Sequence, residues 1–401
     1  MGGAAILLAA ALAACGGPGK TAAPEVRVVT ATLDDLSCPN AASCTAVGSF
    51  LPVDTDATSG DPDGDGDASH ALVESFDGRR WRVAATPRLR RGGGILSGVS
   101  CAAAGSCVAV GYDQANVADS DDESAPPRSP VAFALRAGRW SAMTLPAVAR
   151  NSVLLGVACA APTWCLAVGY SASAVSADRF LERPLVEELR GGRWRVAAAL
   201  LPAGGSVGLT AVACASEAAC VAVGTTAPAA TPTATRPLLE QLEGAAWRAP
   251  PLPPAARARG LLDAVTCPAA RSCIAAGDVA TGHSAGSALV VRDGAAGWVA
   301  DAPVLAEPGQ NTLTAVACAS AARCLVTGLT ARSEVDRPRL LVAALGTAGW
   351  QEVDTAESNG YVERLACAAA AECLLVGNDG ARTFNAELSD AGFQPLVAPV
   401  P

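Results

Sequence analysis

Seven times along the chain, one cysteine is followed by another six positions later. The pairs are Cys38 and Cys44, Cys101 and Cys107, Cys159 and Cys165, Cys214 and Cys220, Cys267 and Cys273, Cys318 and Cys324, and Cys367 and Cys373. With Cys15 they account for all 15 cysteines. The surrounding text repeats too: Gly98-Val99-Ser100-Cys101 leads to Cys107-Val108-Ala109-Val110-Gly111, and Ala211-Val212-Ala213-Cys214 to Cys220-Val221-Ala222-Val223-Gly224. Self-similarity kept at such a period marks an architecture in which each unit buries its apolar face against its neighbours.

A second landmark follows each pair. A glycine-containing turn leads into an aromatic residue at Trp81, Trp140, Trp194, Trp247, Trp298, Trp350 and finally Phe393. Short β-branched and apolar runs flank it, and no repeat shows a sustained helical period. Each repeat therefore reads as four strands: A ends at the first cysteine, B starts at the second, C precedes the glycine turn, and D carries the aromatic. Seven four-stranded units suit an all-β, seven-bladed β-propeller, whose ring leaves only short sheet edges exposed. Residues 26–401 form the propeller on this reading, with blades at about 30–90, 91–148, 149–204, 205–256, 257–306, 307–358 and 359–401. Nothing in the spacing calls for a strand exchanged between first and last blades, although Val26 to Thr30 could pair with the last.

The cysteines have two readings. Structural zinc takes four ligands in close spacing, whereas each repeat offers two thiols. A disulfide asks for Cα atoms about 5.5 Å apart, which facing positions of an antiparallel hairpin supply. One disulfide inside each blade is the expectation, with a structural role.

Apolar residues make up 51% of the chain and charged residues 17%, a globular balance. The 40 glycines and 27 prolines favour a turn-rich β protein. A net charge of −9 speaks against nucleic acid as a partner, since phosphate needs a basic face. Residues 1–14 stand apart. Ala4 to Ala14 are unbroken apolar residues, too few to cross a bilayer at about 20 per crossing, but suited to a signal-peptide core. The run ends Leu12-Ala13-Ala14-Cys15, which resembles the lipobox of bacterial lipoproteins, although Met1-Gly2-Gly3 before it carries no Lys or Arg. That resemblance implies lipid on Cys15, a flexible tether at 15–25 and a membrane-anchored, extracytoplasmic monomer. The alternative is a cleaved secretory signal without lipid. Either location favours disulfides.

The glycine turn and Trp resemble degenerate Asp-box (BNR) repeats, which in sialidase-type propellers sit between the third and fourth strands. Ser75-Phe76-Asp77-Gly78-Arg79-Arg80-Trp81 comes nearest, one residue shorter than the usual box. The paired cysteines followed by Val-Gly also resemble a class of secreted bacterial repeat proteins. The sialidase resemblance implies a glycosidase with a Tyr nucleophile, an acid and an arginine triad. Only Tyr112, Tyr170 and Tyr361 are on offer, and the family's Arg-Ile-Pro motif is missing. Fold likeness alone carries no chemistry, so no catalytic residue is assigned. The favoured function is a binding or scaffold propeller with a protein or carbohydrate partner, the alternative a sialidase-like glycoside hydrolase.

From the second cysteine to the aromatic the steps are 37, 33, 29, 27, 25, 26 and 20, while those from each aromatic to the next first cysteine are 20, 19, 20, 20, 20 and 17. Length variation thus falls between strands B and C, and the face bearing these loops, longest in blades 1 to 3, is the expected binding surface. In blade 1 this loop reads Asp61-Pro62-Asp63-Gly64-Asp65-Gly66-Asp67. Asp61, Asp63, Asp65 and Asp67 resemble the first half of an EF-hand loop and would suit Ca²⁺. The closing acid is missing, with Leu72 in its place and Glu74 two residues late, so a solvated acidic loop is the other reading. No other cofactor is indicated. Asp119 to Glu123 has no ligand spacing. Trp164, inside the blade 3 cystine loop, could stack on a sugar or pack down. Arg79, Arg80, Arg82, Arg88, Arg90 and Arg91 could meet an anionic polymer or simply be solvated. His70 and His283 lack a catalytic neighbourhood.

Overall fold

In the computed structural model the chain is a seven-bladed β-propeller of seven four-stranded antiparallel sheets. The structure describes residues 27–53, 69–86, 89, 92–115, 127–149, 151–176, 179–198, 205–231, 233–244, 246–281, 284–301, 309–332, 337–347, 349–353, 355, 361–369, 372–378, 383–389 and 392–396. Blade 1 comprises β1 (Arg27–Asn40), β2 (Ser43–Val53), β3 (His70–Phe76) and β4 (Trp81–Val83). Blade 2 comprises β5 (Gly92–Ala103), β6 (Ser106–Ala115), β7 (Arg128–Arg136) and β8 (Arg139–Ala142). Blade 3 comprises β9 (Ser152–Ala161), β10 (Trp164–Ser176), β11 (Arg179–Arg190) and β12 (Arg193–Val196). Blade 4 comprises β13 (Gly205–Ser216), β14 (Ala219–Pro228), β15 (Arg236–Glu243) and β16 (Ala246–Arg248). Blade 5 comprises β17 (Gly260–Thr266), β18 (Ile274–Thr281), β19 (Ser284–Gly294) and β20 (Gly297–Ala300). Blade 6 comprises β21 (Gln310–Ser320), β22 (Arg323–Ala331), β23 (Arg339–Gly346) and β24 (Gly349–Glu352). Blade 7 comprises β25 (Tyr361–Ala369), β26 (Glu372–Asn378), β27 (Thr383–Ser389) and β28 (Gly392–Leu396).

The repeated residues each have a place in this plan. A disulfide closes the A–B hairpin of every blade, with Cα atoms 3.9–4.2 Å apart. That is closer than the expected 5.5 Å, because the cysteines occupy the narrow cross-strand site of an antiparallel pair. The aromatics lie on the outer strands, where Trp81, Trp194, Trp298 and Trp350 are buried against the preceding blade, which for Trp81 is blade 7. The C–D turns need a left-handed residue, supplied by glycines such as Gly78 (φ 85°) and Gly349 (φ 93°).

The Val-Gly glycine of strand B answers a different need. In all seven inner strands one residue is left over from the A–B register: Asp34, Ser97, Leu155, Thr210, Asp263, Thr314 and Glu363. Such a bulge kinks the strand and presses its backbone onto the neighbouring strand. A Cβ on Gly48, Gly111, Gly169, Gly224, Gly277, Gly328 or Gly377 would collide with a strand-A carbonyl oxygen. Only glycine fits there.

The core is divided into seven apolar clusters, one at each blade–blade seam. The last seam packs Leu33, Leu36, Ala46 and Leu72 of blade 1 against Leu374 and Val376 of blade 7. Among the described residues no strand is exchanged: β1 pairs with β2 from Arg27 onward, so Val28 and Thr30 belong to their own blade and not to the last, while Val26 lies outside the described residues. Blade 3 departs from expectation in its B–C connection, which is a continuous hairpin, β10 and β11 staying paired out to Ser176 opposite Arg179.

Candidate functional site

The bulges bring side chains to the ring axis. A cavity of about 320 Å³ lies on it between the bulges and the cystine hairpins, lined by all seven inner strands, with Asp35 and Arg364 as its charged side chains. Inner-strand backbone that faces the axis has no further strand to pair with, and side chains from neighbouring blades take that role. Asp35 accepts from the Leu36 N–H (2.9 Å) and, across the seam, from the Val99 N–H (2.7 Å). Ser37 accepts from Cys101 N and Ser100 from Cys159 N, both at 2.9 Å. The Thr210 hydroxyl donates to Leu262 O (3.0 Å), and that of Thr314 to Val362 O (2.6 Å).

Arg364 of blade 7 reaches past blade 6 toward blade 5. Its Nη1 donates to Glu363 O (2.7 Å) and Thr314 O (2.9 Å) and lies 3.9 Å from the Asp263 carboxylate. Burial pulls the guanidinium pKa down, but the carboxylates of Asp263, Asp35, Glu363 and Asp34 outweigh it and raise it. Burial likewise pushes Asp34 and Asp35 up to about 6, and Glu363 to about 7, against the pull of Arg364. Asp278 is raised by burial and by Asp263. One fixed cation thus serves a group of carboxylates from blades 1, 5 and 7.

Beyond the bulges, toward the B–C connections, stand all three tyrosines of the chain. The Arg128 guanidinium lies 4.9 Å from the centre of the Tyr112 ring and donates from Nε to Gln114 Oε1 (3.0 Å). Tyr170 and the Glu182 carboxylate lie over Gly208, where a Cβ would meet Glu182 Oε2 at 2.7 Å. Burial raises the pKa of Glu182 and of all three tyrosines; Glu182 adds to the rise at Tyr170, and Glu363 and Asp263 to that at Tyr361.

The other residues marked in the sequence fall elsewhere. Trp164 is 2% exposed, packs at the seam between blades 3 and 4, and donates from Nε1 to Glu188 Oε1 at 2.7 Å. It is a packing residue rather than a sugar platform. Asp77 closes the blade 1 C–D turn, accepting from the backbone N–H of Arg79 and Arg80 and pairing with the Arg82 side chain at 3.0 Å. His70 lies against Phe50. Cys15, Asp61, Asp63, Asp65, Asp67, Asp119 to Glu123, Arg88, Arg90, Arg91 and His283 lie outside the described residues. Among the described residues no group of three or more His, Cys, Asp or Glu is placed to hold a metal ion, and no helix is long and apolar enough to cross a membrane. Seven cystines point to an oxidising, extracytoplasmic setting.

No family model matches the sequence, and no curated protein matches it. Solved structures do share the fold. YCF48 bound to D1 peptide superposes with a TM-score of 0.51 at 12% identity, over 92% of this chain and 95% of that one. A polysaccharide lyase of family PL25, an ulvan lyase bound to -[GlcA(1-4)Rha3S]-, gives 0.53 at 7% identity, over 93% and 97%. Acylaminoacyl peptidase from Pyrococcus horikoshii gives 0.50 at 8% identity, over 92% of this chain and 52% of that one. Identities this low establish a propeller fold shared by binding proteins and enzymes, and nothing finer.

Proposed function

We propose that this chain is an extracytoplasmic binding propeller, held at a membrane by lipid on Cys15, which receives a basic segment of a polypeptide partner at the axial mouth facing the B–C connections. The observation that carries this reading is the excess of carboxylates at the bulges: Asp34, Asp35, Asp263 and Glu363 share the guanidinium of Arg364, while Arg128 lies farther out against Tyr112. A second cation would relieve that imbalance, and tyrosine rings beside carboxylates favour Lys or Arg side chains. The likeness to a propeller whose structure holds a peptide is in keeping with it.

Calorimetry with an arginine-rich peptide and a glutamate-rich control tests the reading. We expect the basic peptide alone to bind, more weakly at high salt, with at least a tenfold loss in Asp263→Asn/Glu363→Gln. Equal binding of both peptides, or binding indifferent to those changes, would overturn it. Titration with Ca²⁺ tests whether Asp61, Asp63, Asp65 and Asp67 form a calcium loop, and palmitate labelling of wild type against Cys15→Ser tests the anchor. A glycoside hydrolase is the second reading, favoured by Tyr361 beside the raised Glu363. Turnover of aryl glycosides that vanishes in Tyr361→Phe would establish it.

A further inference from the structure

The seam between blades 7 and 1 closes the ring with no shared sheet, so side-chain packing must distinguish it from the other six. One position of strand C does so. Opposite Ala46, Ala109, Ala167, Ala222, Ala275, Val326 and Leu375 stand Glu74, Phe133, Glu187, Glu240, Val291, Ala343 and Ala386. The adjacent strand-C residue faces the following blade and is Val73, Ala132, Val186, Leu239, Val290 and Val342 in blades 1 to 6, but Asn385 in blade 7. Glu187 therefore faces a seam that receives Ala132, and Glu240 one that receives Val186, whereas Glu74 meets an amide.

Glu74 is 0% exposed and Asn385 1%. Asn385 Nδ2 donates to Glu74 Oε2 at 3.3 Å across the seam. Two atoms are then left over, Glu74 Oε1 and Asn385 Oδ1, both buried and both without a partner. An ionised carboxylate and an amide oxygen are acceptors only, so neither can answer the other; the Thr383 hydroxyl, buried beside Glu74 and likewise without a partner, offers one O–H and can satisfy only one of the two. A proton on Oε1 turns that oxygen into a donor. A neutral carboxylic acid and a primary amide are complementary, giving N–H to one carbonyl and O–H to the other.

We propose that Glu74 is held as the neutral acid and pairs reciprocally with Asn385, so that the closing seam of the ring is fastened by a proton and loosens when that proton is lost. Burial pushes Glu74 up to about 7 against the pull of Asn385 and Thr383, which supports this protonation state. The other ionisable side chains on the strands packed here are His70 on β3, Asp34 and Asp35 on β1, Tyr361, Glu363 and Arg364 on β25, Glu372 on β26 and Glu387 on β27; burial, Asn385 and Thr383 set the balance at Glu74, not these. The group takes up its proton as the ring closes, so closure is favoured below pH 4.5, weakens as pH rises, and is weakest above 7.

Hydrogen exchange of the full mature chain between pH 5 and 8, corrected for intrinsic rates, tests the proposal. Between pKa values of 4.5 and about 7 the opening equilibrium at β1 and β25 to β27 rises about 70-fold over that range. The seam between blades 5 and 6, with Val290 against Ala343, serves as the control without such a rise. In Glu74→Gln the new amide supplies the missing donor at every pH, so the rise at β26 and β27 shrinks to what Asp34, Asp35 and Glu363 of the adjoining strands contribute, while Asn385→Val opens the seam at pH 5 as well as 8. Infrared absorption of a protonated carboxyl at pH 6, present in wild type and reduced in Glu74→Gln, is the second readout. A flat wild-type profile, an unchanged rise in Glu74→Gln, or an infrared spectrum with no such difference would each overturn the proposal.

Discussion

The collision built into every strand-B glycine gives a quantitative prediction. In Gly224→Ala the new methyl would fall on the Gly208 carbonyl oxygen and within 2.9 Å of Leu209 Cα. Both neighbours are backbone, pinned by the Cys214–Cys220 bridge a few residues away, so the clash cannot be relieved by a side-chain rotation. Forcing the strands apart costs about 1–3 kcal/mol for overpacking, plus about 1 kcal/mol for a weakened ladder hydrogen bond. We take about 3 kcal/mol. If the ring melts as one unit of about 370 residues, at about 2.1 cal/mol/K per residue, the unfolding entropy is near 0.8 kcal/mol/K and the midpoint falls by about 4 °C. Gly244→Ala is the matched control. That glycine has φ 66° and open space around its missing Cβ, so a left-handed alanine there costs about 1 kcal/mol and lowers the midpoint by about 1 °C. Scanning calorimetry of both variants decides the matter. A Gly224→Ala protein as stable as Gly244→Ala would refute the claim that the bulge dictates the glycine.

Three further outcomes follow from the seams and the axis. Glu187 is buried with no hydrogen bond to either carboxylate oxygen, and burial pushes it up to about 7; Glu187→Val should stabilise the fold by up to about 3 kcal/mol at pH 8 and by less than about 1 kcal/mol at pH 5, read from urea midpoints. Replacing Cys214 and Cys220 together by alanine should cost about 2 kcal/mol, the chain-entropy value for so short a loop, in chemical denaturation without reductant. Arg364→Gln leaves Asp263, Asp35, Glu363 and Asp34 facing one another without their cation; its cost should exceed about 2 kcal/mol at pH 8 and shrink toward pH 5, where carboxylates raised to about 6 or 7 take up protons.

The blade plan was legible because paired cysteines six apart recur in every repeat, each followed by the Val-Gly-type glycine and an aromatic that is Trp in six repeats and Phe393 in the seventh. The axial charges were harder to see. They lie in the strands of most constant length, whereas variable loops drew attention as the place for binding. The signal was nonetheless present: four residues before each first cysteine stand Asp34, Ser97, Leu155, Thr210, Asp263, Thr314 and Glu363, polar in six of seven within an otherwise apolar strand. The burial of Glu74, Glu187 and Glu240 was hidden for a different reason. Alternation normally sends a charged residue to solvent, but both faces of a propeller sheet are covered by other sheets, so here it delivers glutamates into dry seams.

Because the four strands of each sheet come from one uninterrupted stretch of sequence, every blade is a self-contained cassette. Where a ring is sealed by a blade of mixed origin, cutting the chain elsewhere and joining its old ends leaves a different sheet to be completed. Here a cut in any linker between an outer strand and the next inner strand leaves all seven sheets whole. A gene of this kind can therefore begin at any blade, and can gain or lose one by duplication or deletion, provided that a matching pair meets where the circle joins.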